Sequence, residues 1–171
     1  LLEKKGDNNL LISLKKYFES KGYIFFNWAK YCNELFSTEI YLTKAKPSKN
    51  ALLNLKKAKS IYRIYKKLDV GQAMVVQNQL VLGLEAIEGT DEMIKRAGKL
   101  KLSGTGPILI KTPKLNQDLR FDQPVIGINT VKLAHRHGFS SISCKYDGVL
   151  VIDLNKVIDT ANHRNITLFG F

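Results

Sequence analysis

Gln72-Ala73-Met74-Val75-Val76-Gln77-Asn78-Gln79-Leu80-Val81-Leu82-Gly83-Leu84-Glu85-Ala86 is the stretch whose reading decides the fold. Two apolar runs of strand length flank Asn78-Gln79, a pair suited to a tight turn, so the spacing predicts a β-hairpin. Beyond it, residues 88–90 read as a loop, and Thr90 or Asp91 starts a helix running to about Lys99. Ser103-Gly104-Thr105-Gly106-Pro107 is a turn, residues 108–111 a buried strand, and residues 112–124 a polar loop. A loop of that length inside a compact domain is usually functional or mobile. A helix over 130–137 stops at Gly138. A second hairpin is predicted over 142–153 around Asp147-Gly148, then a helix over 155–162 and a strand over 166–169.

Upstream of the hairpin the rhythm is βα. Asp7 can cap a helix carrying Leu10, Leu11, Leu14 and Phe18 at helical spacing, with Gly22 ending it. Residues 23–26 read as a short buried strand and 28–36 as another helix. Ser48 caps a Lys-rich helix to about Lys67, with Leu52, Leu55, Ala58, Ile61, Tyr62 and Tyr65 as its inner stripe. The expected class is therefore α+β: a mixed β-sheet with hairpins packed against helices, preceded by a partial βα segment.

Composition narrows the function. The 171 residues are 44% hydrophobic, enough to bury a core, and no apolar run approaches the length of a spanning helix. Cys32 and Cys144 stand far apart with no CxxC, which speaks against a zinc site or a disulfide framework and suits a reducing cytoplasm. The net charge of +12 is uneven: residues 1–67 hold 15 Lys and Arg against 5 Asp and Glu. Such a surface can attract nucleic acid or an anionic membrane, or can be a solvated helix face. All but one of those cations are Lys, whereas base readout and aromatic stacking favour Arg, so nucleic acid is not expected.

Three polar clusters interrupt the apolar elements. Asp69-Val70-Gly71-Gln72 opens a strand, and Glu85-Ala86-Ile87-Glu88-Gly89-Thr90-Asp91 runs from a strand end into a helix start. Unpaired N–H groups at that helix start can hold a phosphate, and Glu85 and Glu88 can face a hard cation such as magnesium. The competing reading makes Thr90 or Asp91 a simple N-cap and leaves the glutamates solvated. Gln117-Asp118-Leu119-Arg120-Phe121-Asp122 lies in the long loop, after Lys111. Its two carboxylates can bind a divalent ion or activate water while Arg120 and Lys111 neutralise phosphate oxygens. Equally, Arg120 can just compensate its neighbours in an ion-paired loop. His135, His137 and His163 sit at helix ends, where the dipole favours them, and Cys144 reads as an inert core residue.

Taken in order, these clusters, extended through Pro124 and Gly127, resemble the LpxI family of UDP-2,3-diacylglucosamine diphosphatases. The resemblance implies magnesium-dependent (Mg2+) hydrolysis of a pyrophosphate, giving UMP and 2,3-diacylglucosamine 1-phosphate, in lipid A synthesis. It also implies a cytoplasmic enzyme working at the inner-membrane surface, with a possible homodimer. On it, Asp118 and Asp122 are expected as metal ligands or water-activating groups, and Arg120 and Lys111 on phosphate oxygens. Glu85, Glu88 and Asp91 are further metal candidates, and Gln72, Thr90 and Gln117 substrate contacts. Residues 1–40 are expected to close an N-terminal βα domain, and 41–171 to form the C-terminal catalytic domain. No Gly-rich βα turn precedes Leu1, so the chain is expected to be a fragment holding part of the site. A catalytically dead remnant serving as a binding or assembly module is the rival expectation.

Overall fold

The computed structural model describes residues 7–32, 35–36, 40–65, 70–114, 117–120 and 122–171. Helix α1 (Asp7–Ser20) leads into an extended segment and a 3-10 turn, Trp28–Tyr31, and then α2 (Lys49–Tyr65). Next come strands β1 (Ala73–Gln77) and β2 (Leu80–Leu84), helix α3 (Gly89–Lys99) and strands β3 (Ile108–Lys111) and β4 (Val125–Ile126). Helix α4 (Ile128–Arg136), strands β5 (Ser141–Cys144) and β6 (Leu150–Val151), helix α5 (Leu154–His163) and strand β7 (Thr167–Gly170) complete the chain. The five-stranded sheet runs β2-β1-β3-β5-β7. Its first two pairings are antiparallel and its last two parallel. The class is α+β with a mixed sheet, as the sequence indicated.

Why the sheet is covered on both faces follows from strand alternation. Ala73, Val75, Leu109, Ile142 and Leu168 point into a core with Met93 and Ala97 of α3, Val131 of α4 and Val157 of α5. Their neighbours Met74, Val76, Ile108, Ile110 and Phe169 point the other way, onto Ala51, Leu55 and Ala58 of α2. Ser48 does cap α2, its Oγ accepting from Ala51 N at 3.1 Å. Leu52, expected on the inner stripe, is 45% exposed, and the buried Asn54 lies on the inner face instead. Its Oδ1 accepts from Gln79 N at 2.8 Å and so ties α2 to the hairpin turn. Asn78 and Gln79 both take positive φ, 49° and 61°, as a two-residue turn matched to strand twist requires.

Further sequence expectations fail: the helix read over 28–36 is replaced by a 3-10 turn at Trp28–Tyr31, and Phe36 makes an isolated bridge to Leu150. The segment 23–26 is not a buried strand: Tyr23, Ile24 and Phe26 are 63%, 91% and 66% exposed. Among the described residues it pairs with no strand, and an extended segment without a ladder gains little. No second hairpin forms either. Strand β5 is already flanked by β3 and β7, so β6 pairs in parallel with β4 in a separate two-stranded sheet. Asp69 and the C-terminal end predicted for α2 lie outside the described residues.

Residues just before α2 close the far edge. Leu42 N donates to Leu168 O at 3.0 Å, Gly170 N to Ile40 O at 2.8 Å, and Leu168 N to Thr43 Oγ1 at 3.0 Å. Among the described residues no helix is long and apolar enough to cross a membrane.

Candidate active site

The sheet brings the clusters to one end. Antiparallel pairing sets Ala73 opposite Lys111, so the last residue of β3 lies beside the first of β1. Thr112 N then donates to Gln72 O at 2.9 Å. On the other side of β1, Gly71 N donates to Glu85 O at 3.0 Å, which brings the end of β2 alongside. The approach depends on the missing side chain: a Cβ on Gly71 would collide with the Cβ and Cγ of Glu85.

Around this junction runs a continuous hydrogen-bonded chain. Lys111 Nζ donates to Thr90 Oγ1 at 2.9 Å and to Val125 O at 2.8 Å. Thr90 Oγ1 donates to Glu85 Oε1 at 2.7 Å, and Glu85 Oε2 accepts from Gln72 N at 2.6 Å. Gln72 Nε2 then donates to Asp122 Oδ2 at 3.0 Å, and Gln117 Nε2 donates to the same oxygen. Helix α3 begins at Gly89, and Thr90 uses its hydroxyl on Glu85 and not as a helix cap. Lys111 is only 7% exposed. Burial pushes its pKa down, opposed chiefly by the nearby carboxylate of Glu85 and also by those of Asp91 and Asp122. Six predicted residues (Lys111, Thr90, Glu85, Gln72, Asp122 and Gln117) thus form one network.

Asp118 and Arg120 face elsewhere. Arg120 Nε and Nη2 make a two-pronged contact with Asp118 at 2.8 and 2.6 Å, and Lys15 of α1 reaches Asp118 Oδ2 at 2.9 Å. The remaining prong, Arg120 Nη1, donates to Phe25 O at 3.0 Å, and Trp28 Nε1 donates to Arg120 O at 3.2 Å. The Arg120 guanidinium, with Lys15, holds the Asp118 carboxyl well below the usual range. Glu88 pairs with Arg96 at 2.6 Å, which lowers its pKa, and Asp91 is exposed on the first turn of α3. Asp122 N donates to Asp118 O at 3.3 Å, but no side-chain hydrogen bond among the described residues joins these groups to the network.

Can the network hold magnesium? Among the described residues no three His, Cys, Asp or Glu side chains are grouped to cage a metal. Magnesium needs no such cage, since it keeps several waters and takes one or two carboxylates plus phosphate oxygens. Asp122 and Glu85, both bonded by Gln72, supply hard oxygen donors of that kind. Gln123, next in the chain, has both amide atoms buried with no partner among the described residues. A buried amide left unmet beside a carboxylate suits a site completed by a ligand. The donor set fits the ion.

Sequence reasoning missed a cavity beside this junction. It holds about 210 Å³ between α2 and the sheet, and its walls include Tyr62, Tyr65, Gln72, Met74, Ile110 and Phe171. The Tyr62 hydroxyl donates to Pro113 O, and that of Tyr65 to Gly71 O at 3.4 Å. Burial, with Glu85 next in effect, pushes Tyr65 up to about 12. Both tyrosines were visible only as members of a core stripe.

A polar network gathered at one end of a mixed sheet, around two carboxylates and a buried ammonium, is the candidate site of this α+β chain. The family model described as the LpxI C-terminal domain matches residues 38–169, and the chain belongs to the LpxI family. It is 32% identical over 173 residues to the UDP-2,3-diacylglucosamine pyrophosphatase LpxI of Caulobacter vibrioides. That alignment covers 98% of this chain and 62% of the relative's length.

Proposed function

We propose that this chain carries the hydrolytic site of a magnesium-dependent diphosphatase acting on UDP-2,3-diacylglucosamine in lipid A biosynthesis. Water adds to one phosphorus, the bridging P–O bond breaks, and the products are UMP and 2,3-diacylglucosamine 1-phosphate. The observation that supports this most is the network from Lys111 to Gln117, in a chain of the LpxI family.

Asp122, with Glu85, would hold the magnesium ion, which when bound neutralises phosphate oxygens and lowers the pKa of a coordinated water. Gln72 and Gln117 fix the Asp122 carboxylate through neutral amides, so it does not reorganise during the reaction. Lys111, steered by Thr90 and Val125 O, supplies positive charge toward the pyrophosphate from a nearly dry position. Asp118 and Arg120, in this reading, shape the loop that carries Asp122. Helix α2, with Lys49, Lys56, Lys57, Lys59 and Arg63 and no acid, draws the protein to the anionic cytoplasmic face of the inner membrane, where its lipid substrate lies. A homodimer is part of the same reading, and nucleic acid is not.

The test is turnover by the complete protein on UDP-2,3-diacylglucosamine in detergent micelles, with magnesium and then with a chelator. UMP should appear only with the metal. A protein that releases no UMP, or releases it equally under chelation, sinks the proposal.

A further inference from the structure

The cavity between α2 and the sheet belongs to no step above. Its apolar wall is Ala58, Tyr62 and Tyr65 from the helix, Met74 and Ile110 from the sheet, and Phe171 at the chain end. Lys59, Arg63 and Lys145 add positive charge, Ala73, Gln72 and Thr112 complete the lining, and no acidic residue contributes. None of these three cations has an ion pair among the described residues. The Lys59 ammonium instead lies 4.9 Å from the centre of the Phe171 ring. Gln72 lines the cavity and also bonds Asp122, so the space opens directly beside the carboxylate network.

These features select the chemistry of an occupant. A pyrimidine base would bring polar edges that need partners, and the wall has few to give. The tyrosine hydroxyls are committed to Pro113 O and Gly71 O, and the Gln72 amide nitrogen to Asp122. A polar edge left unmet in such a site is penalised. A hydrocarbon chain meets no such penalty. The volume exceeds that of the roughly 150 Å³ apolar cavity known to admit benzene, so several methylene groups fit. Three cations with no acid among them suit the phosphate end of the same molecule.

We infer that this cavity receives one acyl chain of the anionic glycolipid, with Lys59, Arg63 and Lys145 facing its phosphates. The inference rests on the proposed substrate and adds the place where one chain is held. Acyl burial here would turn chain length into affinity and would seat the pyrophosphate against Gln72 and Asp122.

The experiment is calorimetric titration of the complete protein with n-alkyl phosphates from butyl to dodecyl. Affinity should rise about fourfold per methylene until the cavity fills, then level off. Ala58→Leu should remove at least tenfold of the long-chain advantage and leave inorganic pyrophosphate binding unchanged. Ile110→Ala, which enlarges the space, should move the plateau to longer chains, and it serves as the test if Ala58→Leu fails to fold. A flat dependence on chain length, or a profile untouched by the variant that folds, overturns the inference. Asp122→Asn should keep the wild-type length profile. Normal hydrolysis with a flat profile would remove the acyl site alone, whereas a clear profile without any hydrolysis would remove the diphosphatase reading and leave the site standing.

Discussion

Two aspartates four positions apart on one loop are held by opposite means. Asp122 faces the sheet and takes hydrogen bonds from two neutral amides, Gln72 and Gln117. Asp118 faces the N-terminal segment and takes a guanidinium and an ammonium, Arg120 and Lys15. The first arrangement orients a carboxylate through neutral groups, with Lys111 the nearby cation that feels its charge. The second neutralises the charge and uses it to join α1 and the 25–28 segment to the loop. In sequence the two residues look equivalent, so identity of residue type says little about role until the partners are known.

The largest effect should separate the two. Asp122→Asn should lower turnover by about 10²–10³-fold with the fold intact, because an amide cannot supply the missing charge. Asp118→Asn should lower it by about tenfold, through looser positioning of the loop. Equal losses would erase the distinction, and circular dichroism of both variants keeps unfolding from imitating it.

The junction itself is tested by Gly71→Ala. The added methyl group meets Glu85, so the strand ends must part, at a loss of about 1–3 kcal/mol measured by urea unfolding. Unchanged stability would mean that the sheet side is less tightly built than its contacts indicate.

Acid sharpens the other side. The folded-state pKa of Asp118 is depressed by Arg120 and Lys15, so its contribution is present above the ordinary carboxylate range and disappears as pH falls through and below it. Wild-type protein should therefore melt higher than Asp118→Asn near pH 6, and the gap should narrow progressively as pH falls below about 4. A gap that stays constant as pH falls from about 4 to about 2 would exclude the ion pair as its source.

The smallest effect is chemical. Cys144 is buried at the register position opposite Lys111, and burial pushes its thiol up to about 12. Cys32, partly exposed in the N-terminal segment, should react with a maleimide at neutral pH while Cys144 does not. Labelling of Cys144 in native buffer would show that the sheet end opens readily.

What was legible in the sequence was local. Ser48 announces its helix because a cap acts within one turn, and Asn78-Gln79 announces its hairpin because the turn joins adjacent strands. The partners of β5 and β6 were not legible. Parallel pairing joins segments far apart, and no turn residue marks it, so Asp147-Gly148 suggested a hairpin that competing strands forbid. The clusters were legible as clusters. That the Lys111 ammonium reaches Thr90 while the Asp118 carboxylate turns to Lys15 and Arg120 follows from the pairing of β1 with β3 and from the position of α1, both long-range.

The short stretch at residues 40–43 has a consequence for where this domain can be cut. It lies along the outer side of β7 and occupies main-chain groups that would otherwise form an open strand edge. An uncovered edge recruits strands from other molecules. The family match begins at residue 38 and keeps this cover. A truncation starting at residue 44 would strip it away and leave the edge of β7 as a template for association, although every residue of the candidate network would still be present.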